Sequence, residues 1–516
     1  MASMEIQESE VQRIDNASSG TLLLLSVFTV ATCGLIYELV AGTLASYLLG
    51  DSVMQFSTII GCYLFAMGIG SWLSKYFLKN LLGWFIQVEI LVGVIGGLSS
   101  AILFLLFAYI EHFRIILYAL VLITGILVGL EIPLLMRVLK SKYAFHDLVS
   151  KIFTFDYIGA LLASLIFPLF LVPHLGLIRT SVFFGILNVI VAIIVATKFE
   201  NNLPSARFLK SAGWVSLFGL LAVFVFADRI TSFSESHSIP GKIIHAESSP
   251  YQRIILSSDG SSLRLYLNGN LQFSSDDEYR YHESLVHPAM QSTQTKNKVL
   301  VLGGGDGLAV REILKYEIDS IILVDLDPAM TKLFRSNDLL TSLNKHSLDN
   351  QKLRIINEDA FTWLRSNSET FDIIIIDFPD PSNYSLGKLY SDQFFTELKR
   401  HIPPHGRGVI QSTSPYYARK SFWCIANTIA AAGLNAMPYH AYVPSFGEWG
   451  FIMFSHEDMQ PPKFMEAGDF RFLNDRQIQT MFHFSDDMSY VETDINRLNN
   501  QSLVHYFEEE WSHYNM

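Results

Sequence analysis

Seven long apolar stretches in the first half of the chain limit the possible folds more than any other feature. Crossing the hydrocarbon core of a bilayer takes about 20 apolar residues in a helix. Soluble core helices of this length would need polar faces, which these stretches lack. We therefore expect a multi-pass α-helical membrane domain with about seven transmembrane helices. The stretches cover approximately residues 21–49, 53–74, 84–110, 115–139, 152–173, 177–197 and 212–227.

Four acidic residues lie inside these stretches: Glu38, Glu89, Glu131 and Asp156. Acids at membrane depth are costly and usually face a partner or a watery cavity. A structural pairing, or a position near the interface, would explain each acid as well as a ligand site would. Four together favour a function, with a cation as the ligand. Glu38 follows a tyrosine and Glu131 lies two residues before a proline, and these two are our candidate intramembrane cation sites.

Charge is divided unevenly along the chain. Residues 1–230 contain 13 Lys/Arg and 13 Asp/Glu, so the formal charge of −12 falls on residues 231–516. An acidic half suits a polycationic substrate and argues against a nucleic-acid partner, although solubility would explain the same charge. The three cysteines, Cys33, Cys62 and Cys424, show no disulfide or metal-ligand spacing, so no metal site is expected.

Changes in composition divide the rest of the chain. The first 20 residues are polar and lack the basic start of a secretory signal, and a Ser-rich segment ending in Pro-Gly is typical of a linker. Alternating apolar residues after it predict a small N-terminal antiparallel β-sheet. The predicted division is a polar tail (1–20), membrane domain (21–230), linker (231–240), small β-domain (241–295), α/β Rossmann-like domain (296–460) and C-terminal tail (461–516) with a helical pattern at 495–511.

A glycine-rich turn follows the first strand predicted for the α/β domain. Residues 299–302 read as a buried strand, Gly-Gly-Gly at 303–305 allows a sharp turn close to a ligand, and a helix opens near Leu308. Alone, such a turn is equally consistent with a plain strand-to-helix connection. Asp306 is more informative, because an anion at a helix start repels phosphate and favours a cationic ligand group.

Three later strands also end on acids. Asp325 and Asp327 follow the second strand, Asp359 follows the third, and Asp377 and Asp380 follow the fourth. A glycine turn, an acid about 20 residues further on, and later strands that end on acids are the layout of a doubly wound, adenosine-binding sheet. We therefore expect a Rossmann-like domain of the methyltransferase type.

Together these motifs resemble the spermidine synthase family of polyamine aminopropyltransferases, in the family's order and over about residues 240–455. Members transfer an aminopropyl group from decarboxylated S-adenosylmethionine to a diamine such as putrescine and release methylthioadenosine. The resemblance implies a membrane-fused bacterial member that forms a homodimer or larger homo-oligomer and uses no cofactor, because the decarboxylated donor is a co-substrate. The matching motifs are Tyr251-Gln252, Asp277-Glu-Tyr-Arg-Tyr281-His282-Glu283, GGGDG at 303–307, Asp359-Ala360 and D-x-x-D-P at 377–381.

The resemblance assigns five residues to the donor. Asp306 matches the aspartate that binds the aminopropyl ammonium, and it would repel the carboxylate of ordinary S-adenosylmethionine. Asp325 takes the place of a ribose-binding glutamate and is one methylene shorter. Asp359 and Ala360 match the pair that contacts adenine, and Gln252 matches a glutamine near the thioether.

Five more residues are assigned to the acceptor amine. Tyr281 and His282 match residues that line the amine channel. Asp377 matches the catalytic aspartate, which orients the attacking amine and takes its proton. Asp380 would hold the distal ammonium, and Trp449 is expected to line the polyamine site, to which Asp306 and Asp377 also contribute.

Three departures from the family pattern are visible. Residues 382–388, after D-x-x-D-P, lack a Gly-Pro element in the gatekeeping loop, and Leu267-Asn268-Gly269 replaces Leu-Asp-Gly. Phe446 stands where the family has a tyrosine that contacts the amine, so that hydroxyl is missing. The last change puts the identity of the acceptor in doubt.

Two other functions fit parts of the sequence. A methyltransferase could use the same fold, but Asp306 argues against a donor that carries a carboxylate. A membrane polyamine transporter or sensor could bind polyamine without turnover, but Asp377 and Asp380 together favour catalysis. Fold analogy alone does not decide between these functions.

Cations concentrate on one side of the predicted membrane domain. The first, third and fifth loops and the segment after the last helix carry only Arg114, Arg179 and Arg229. The positive-inside rule therefore places the amino terminus in the cytoplasm of a bacterial inner membrane, and seven crossings would put the catalytic domain outside. Because donor and diamines are made in the cytosol, we favour a cytoplasmic catalytic domain, which an eighth or an absent crossing would allow.

Overall fold

The computed structural model describes residues 17–49, 52–107, 110, 113–140, 143–462 and 469–512. The chain divides into two compact units between Pro240 and Gly241. Most of the predicted polar tail lies outside the described residues, but residues 17–20 already belong to the first helix.

The first unit is α-helical, as the apolar stretches predict. Six helical stretches in the described chain are long and apolar enough to cross a membrane, one fewer than the seven apolar stretches predicted. The predicted runs 152–173 and 177–197 share one stretch, Phe145–Lys198, which Gly176 interrupts with a non-helical φ of 71° and ψ of 176°. The helices are α1 Ala17–Leu49, α2 Ser52–Leu73, α3 Leu81–Phe107, α4 Phe113–Leu139, α5 Phe145–Ile166, α6 Val172–Lys198 and α7 Ala206–Ser238, with a π-helical turn, Phe167–Leu171, between α5 and α6.

Small residues set the spacing of the helices in this unit. A Cβ added to Gly93 on α3 would lie 2.7 Å from the carbonyl oxygen of Gly185 on α6, so the two backbones are nearly in contact. The predicted linker at 231–240 is wrong over residues 231–238, because α7 continues to Ser238. Its last turn is held by backbone hydrogen bonds such as the one from the N–H of Ile239 to the carbonyl oxygen of Glu235.

The second unit opens with a four-stranded antiparallel sheet of β1 Lys242–Ser248, β2 Arg253–Ser258, β3 Leu263–Leu267 and β4 Asn270–Ser274, in that spatial order. Asn268 and Gly269 connect β3 and β4 with positive φ values of 51° and 83°. Two positive φ values in a two-residue connection are typical of a tight hairpin. Asn268, which replaces the aspartate of the family's Leu-Asp-Gly pattern, is therefore compatible with the same turn.

A seven-stranded sheet forms the main body of this unit, in the order β10-β11-β9-β8-β5-β6-β7. Strands β9, β8, β5, β6 and β7 are parallel to one another, and β11 runs antiparallel to both of its neighbours, β9 and β10. The elements are α8 Glu278–Gln291, β5 Lys298–Gly303, α9 Leu308–Ile313, β6 Ser320–Asp325, α10 Pro328–Ser336, α11 Asp338–Leu343, β7 Leu353–Asn357, α12 Ala360–Ser366, β8 Ile373–Asp377, α13 Tyr384–Gly387, α14 Asp392–Leu398, β9 Arg407–Gln411, α15 Arg419–Ala431, β10 Asn435–Val443, β11 Gly447–Ser455, α16 Asp475–Thr480 and α17 Ser502–Ser512.

Both faces of the large sheet are covered. Along β5, Val299 and Val301 belong to one buried hydrophobic cluster, and Leu300 and Leu302 belong to another. Burial on both faces explains why the central strands are nearly continuous apolar runs. The polar ends of these strands at one edge are therefore the places where the sheet can bind a ligand.

The C-terminal residues are fastened to the main sheet domain. The helix predicted at 495–511 is observed only from Ser502, as α17. Before it, the buried Asn496 donates its side-chain N–H groups to the carbonyl oxygens of Gly387 at 2.9 Å and Tyr390 at 3.1 Å. The tail therefore holds the segment that follows the D-x-x-D motif.

Candidate active site

The glycine turn lies directly against the end of β8. Gly303 pairs with Asp377 across β5 and β8, and its φ is 78°. A Cβ at Gly303 would overlap the carbonyl oxygen of Asp377, and one at Gly304 would lie 3.3 Å from the Asp377 carboxylate. These glycines therefore allow two strand ends to meet, so that Asp306 after one strand and Asp377 at the end of the other interact electrostatically.

Asp306 is partly buried just before the start of α9. Its carboxylate accepts a hydrogen bond from the N–H of Leu308 at 2.9 Å, and its carbonyl oxygen accepts one from Asn344 at 2.9 Å. Burial raises the pKa of Asp306, while the charge of the nearby His282 acts to lower it. No Lys or Arg forms an ion pair with Asp306 in the described chain, which leaves its charge available to a cationic ligand.

Asp377 and Tyr281 are joined by a short hydrogen bond. The Tyr281 hydroxyl donates to the Asp377 carboxylate at 2.5 Å. Burial raises the pKa of Asp377 to about 6, the charge of Asp306 adds to this effect, and His282 and Tyr281 oppose it. Asp377 is therefore mostly ionised at neutral pH but close to its titration range.

Asp380 is held by two polar side chains from the end of β9 and the segment after it. Gln411 donates to one carboxylate oxygen and Thr413 to the other, each at 3.3 Å. Burial raises the pKa of Asp380 to about 7, against the effect of both hydrogen bonds. Sequence reasoning missed Gln411 and Thr413. The polar run Gln-Ser-Thr-Ser directly after a buried strand was the signal that could have found them.

His282 carries positive charge in this acidic pocket. Its Nδ1 lies 2.9 Å from the Glu278 carboxylate, which Arg311 also binds with two N–H groups at 2.9 Å each. Burial acts to lower the pKa of His282, but Glu278 raises it to about 9. The imidazolium therefore offsets part of the repulsion between the buried acids, and neither Glu278 nor Arg311 was predicted as a site residue.

Asp325 and Gln252 are linked through Asp327 at the end of β6. The Asp325 carboxylate accepts backbone hydrogen bonds from Gly305 at 3.0 Å and Asp327 at 2.9 Å. Burial raises the pKa of Asp325 to about 6. Gln252 does not contact Asp325 itself but donates to the Asp327 carboxylate at 2.9 Å. Asp327 therefore fixes the orientation of Gln252, a role that the sequence did not indicate.

The pair Asp359-Ala360 begins α12. Asp359 caps this helix by accepting the N–H of Thr362 at 2.9 Å, and it pairs with Lys388 at 2.8 Å. Burial acts to raise the pKa of Asp359, but hydrogen bonds from Lys388 and Thr362 lower it below its usual value. Because Lys388 ends the predicted gatekeeping loop, this ion pair links the loop to the start of α12.

Aromatic rings extend from the acids to β11. Trp449 packs on Phe446 with ring centroids 5.0 Å apart, and Phe446 lies 6.1 Å from Tyr281. Trp449 is thus connected to Tyr281 through Phe446. The intramembrane candidates Glu38 and Glu131 belong to the other unit, on α1 and α4.

The fold and the site define a Rossmann-like α/β domain with a group of acids at the carboxyl edge of its parallel strands. Residues 278–465 match the family model of the spermine/spermidine synthase domain. The chain is 53% identical over 500 residues to polyamine aminopropyltransferase 2 of Ralstonia nicotianae, covering 95% of this chain and 98% of that protein. It is 51% identical over 493 residues to the polyamine aminopropyltransferase of Leptospira interrogans, covering 95% and 99% respectively. The chain belongs to the polyamine aminopropyltransferase family.

These relatives match the helical unit as well as the catalytic unit, because each alignment spans nearly the whole chain. Among solved structures, spermidine synthase from Thermotoga maritima is 23% identical, with a TM-score of 0.44 over 48% of this chain and 85% of that one.

Proposed function

We propose that this protein transfers the aminopropyl group of decarboxylated S-adenosylmethionine to a diamine such as putrescine, and that the products are spermidine or a related polyamine and methylthioadenosine. The observation that carries this proposal is the group of partly buried acids Asp306, Asp377 and Asp380, whose pKa values are raised by desolvation and which lack a Lys or Arg ion-pair partner in the described chain. Such a group is costly unless cations occupy it. Donor and acceptor both supply ammonium groups.

Asp306 selects the donor. It faces the aminopropyl ammonium, a cation, and the same position would face a carboxylate in ordinary S-adenosylmethionine. At this end of the sheet Asp325 accepts the ribose hydroxyls, and Asp359 and Ala360 contact adenine. Gln252, held by Asp327, lies toward the thioether.

Asp377 prepares the acceptor amine. Near neutral pH the amine is an ammonium, with a pKa of about 10.4 by analogy with Lys, and only its lone pair can attack carbon. Asp377 accepts the proton, and the amine forms a C–N bond to the aminopropyl carbon next to sulfur. The C–S bond breaks, and its electron pair converts the sulfonium to the neutral thioether of methylthioadenosine. Tyr281 fixes the carboxylate through its 2.5 Å hydrogen bond.

Asp380 binds the distal ammonium of the diamine. It lies three residues after Asp377 on the loop that leaves β8, so the two carboxylates can address two amines of one extended molecule. Gln411 and Thr413 hold Asp380, and His282, Trp449 and Tyr281 line the amine site.

A product assay tests the proposal. Purified full-length protein is incubated with either donor and with diamines of different length, and products are identified by mass spectrometry. We expect methylthioadenosine and an aminopropylated amine only with the decarboxylated donor. A methylated product with ordinary S-adenosylmethionine would establish a methyltransferase instead. Polyamine binding without product from either donor would favour the transporter or sensor.

The protein is proposed to reside in a bacterial inner membrane with its catalytic unit in the cytoplasm, where its substrates are made. Six crossings would keep both chain ends on one side, whereas a hairpin at Gly176 would make seven. At about 1.5 Å per residue the stretch Phe145–Lys198 greatly exceeds the hydrocarbon thickness of about 30 Å. Whether this stretch crosses once or twice therefore decides on which side of the membrane the catalytic unit lies. A reporter fused after Met516 that is active only in the periplasm would refute the cytoplasmic assignment.

A further inference from the structure

Two fully buried acids interact electrostatically inside the helical unit. Glu89 on α3 is 0% exposed and Glu131 on α4 is 1% exposed. Glu89 lies eight residues after the start of α3 and Glu131 eight residues before the end of α4, which places each about 12 Å inside its helix. Their carboxyl groups are close enough to interact electrostatically. Glu131 was one of the two candidate cation sites from the sequence, and its interacting acid in the structure is Glu89.

Neither acid has a partner that explains its burial. Within the described chain, both carboxylate oxygens of Glu89 and of Glu131 lack a hydrogen bond, and no Lys or Arg forms an ion pair with either residue. Carboxyl groups buried in this way are expensive. Two interacting carboxylates add mutual repulsion to that cost.

Two further buried side chains near these acids carry polar groups without partners. The Tyr37 hydroxyl and both amide atoms of Asn188 are buried and make no hydrogen bond within the described chain. Tyr37 interacts electrostatically with both acids. Asn188 on α6 packs against Gly93 on α3, because a Cβ added to Gly93 would lie 3.3 Å from the Asn188 Cβ. Gly93 is one helical turn after Glu89. Four helices, α1, α3, α4 and α6, thus contribute polar atoms without partners.

The chemistry of this group favours an ammonium ion. Carboxylate, hydroxyl and amide oxygens are acceptors, and a primary ammonium offers three N–H donors with a full positive charge. Small divalent metals need six or more oxygen ligands, of which two carboxylates supply too few. Consistent with this, no group of three or more His, Cys, Asp or Glu side chains suited to a metal occurs among the residues that the structure describes. We propose that Glu89 and Glu131, with Tyr37 and Asn188, form an intramembrane binding site for the ammonium group of an amine cation.

Binding stoichiometry tests the proposal in the full-length protein. Labelled putrescine is titrated by equilibrium dialysis against detergent-solubilised wild type and against the double variant Glu89→Gln/Glu131→Gln, which keeps both side-chain shapes. We expect two bound amines per chain in the wild type and one in the double variant. Asp156→Asn is the matched control, because this acid also lies in a helix of this unit but is only partly buried and outside the group.

Two comparisons make the result decisive. Asp380→Asn should remove the amine bound at the catalytic site. A lower stoichiometry in this variant therefore tests the proposed function and does not test the membrane site. Unchanged stoichiometry in the Gln/Gln variant would overturn the membrane site, and so would an equal loss in Asp156→Asn. Size-exclusion elution and thermal unfolding must match wild type for the variants compared.

A labelling experiment on wild type avoids dependence on variants. Dicyclohexylcarbodiimide modifies carboxyl groups in apolar surroundings, and peptide mass spectrometry locates the adduct. We expect labelling at Glu89 or Glu131 that putrescine suppresses and that sodium chloride of equal ionic strength does not suppress. Absence of protection would mean that the acids bind only protons, and equal protection by sodium would mean an inorganic cation. Either result refutes the amine site.

Discussion

Lowering the pH should inactivate the catalytic unit through two carboxyl groups. Burial raises the pKa of Asp377 to about 6 and that of Asp380 to about 7. Each must be ionised to receive a cationic amine, so kcat/KM, which reports on the free enzyme, should fall as pH falls through these values. With both pKa values, about 90% of the enzyme carries both charges at pH 8 and about 5% at pH 6, a roughly 20-fold decrease.

Asp380→Asn isolates one of these groups. The variant retains only the Asp377 titration, so its kcat/KM should fall only about 2-fold between pH 8 and pH 6, although its absolute value is lower throughout. Protonation of the amine substrate affects both enzymes equally and cancels when their pH 8 to pH 6 ratios are compared. The assay is the initial rate of methylthioadenosine release at subsaturating diamine. Equal ratios in wild type and variant would refute the assignment of the near-neutral group to Asp380.

Three further perturbations follow from the site. Asp377→Asn should lower kcat by about 10²- to 10⁴-fold while donor affinity, measured separately by calorimetry, is retained; wild-type kcat would refute the catalytic role. Asp306→Asn should weaken binding of the decarboxylated donor by about 1 to 3 kcal/mol, and equal affinity of wild type for both donors would contradict the selection argument. Gly303→Ala should lower the thermal midpoint and kcat more than Gly269→Ala, because both have positive φ but only the first overlaps Asp377; equal effects would contradict the close-approach argument.

Local patterns were enough to predict the architecture. The apolar stretches predicted the helical unit, and the acids that follow buried strands predicted a doubly wound sheet with Asp306, Asp377 and Asp380 at the carboxyl edge. The carboxyl ends of adjacent parallel strands meet at one edge, so an acid after each strand identifies that edge without knowledge of the complete strand order.

Contacts between distant segments were not predictable in this way. Thr413 and Gln411 reach Asp380 only because β9 lies beside β8, and no spacing in the sequence encodes that neighbour. Lys388 pairs with Asp359 from 29 residues away. The Ser-rich segment 231–238 was wrongly predicted as a linker because propensity is a weak guide where an existing helix can continue its hydrogen bonds.

The hydrogen bonds of Asn496 have a consequence for the order in which the protein is made. Asn496 lies 106 residues after Tyr390 and 109 after Gly387, yet it fixes the loop that follows the catalytic aspartates. Synthesis proceeds from the amino terminus, and domains form as their residues emerge. The helical unit and nearly the entire sheet are therefore synthesised before the loop acquires its final shape, so a prematurely terminated chain would contain both and still lack the contacts that fix this loop.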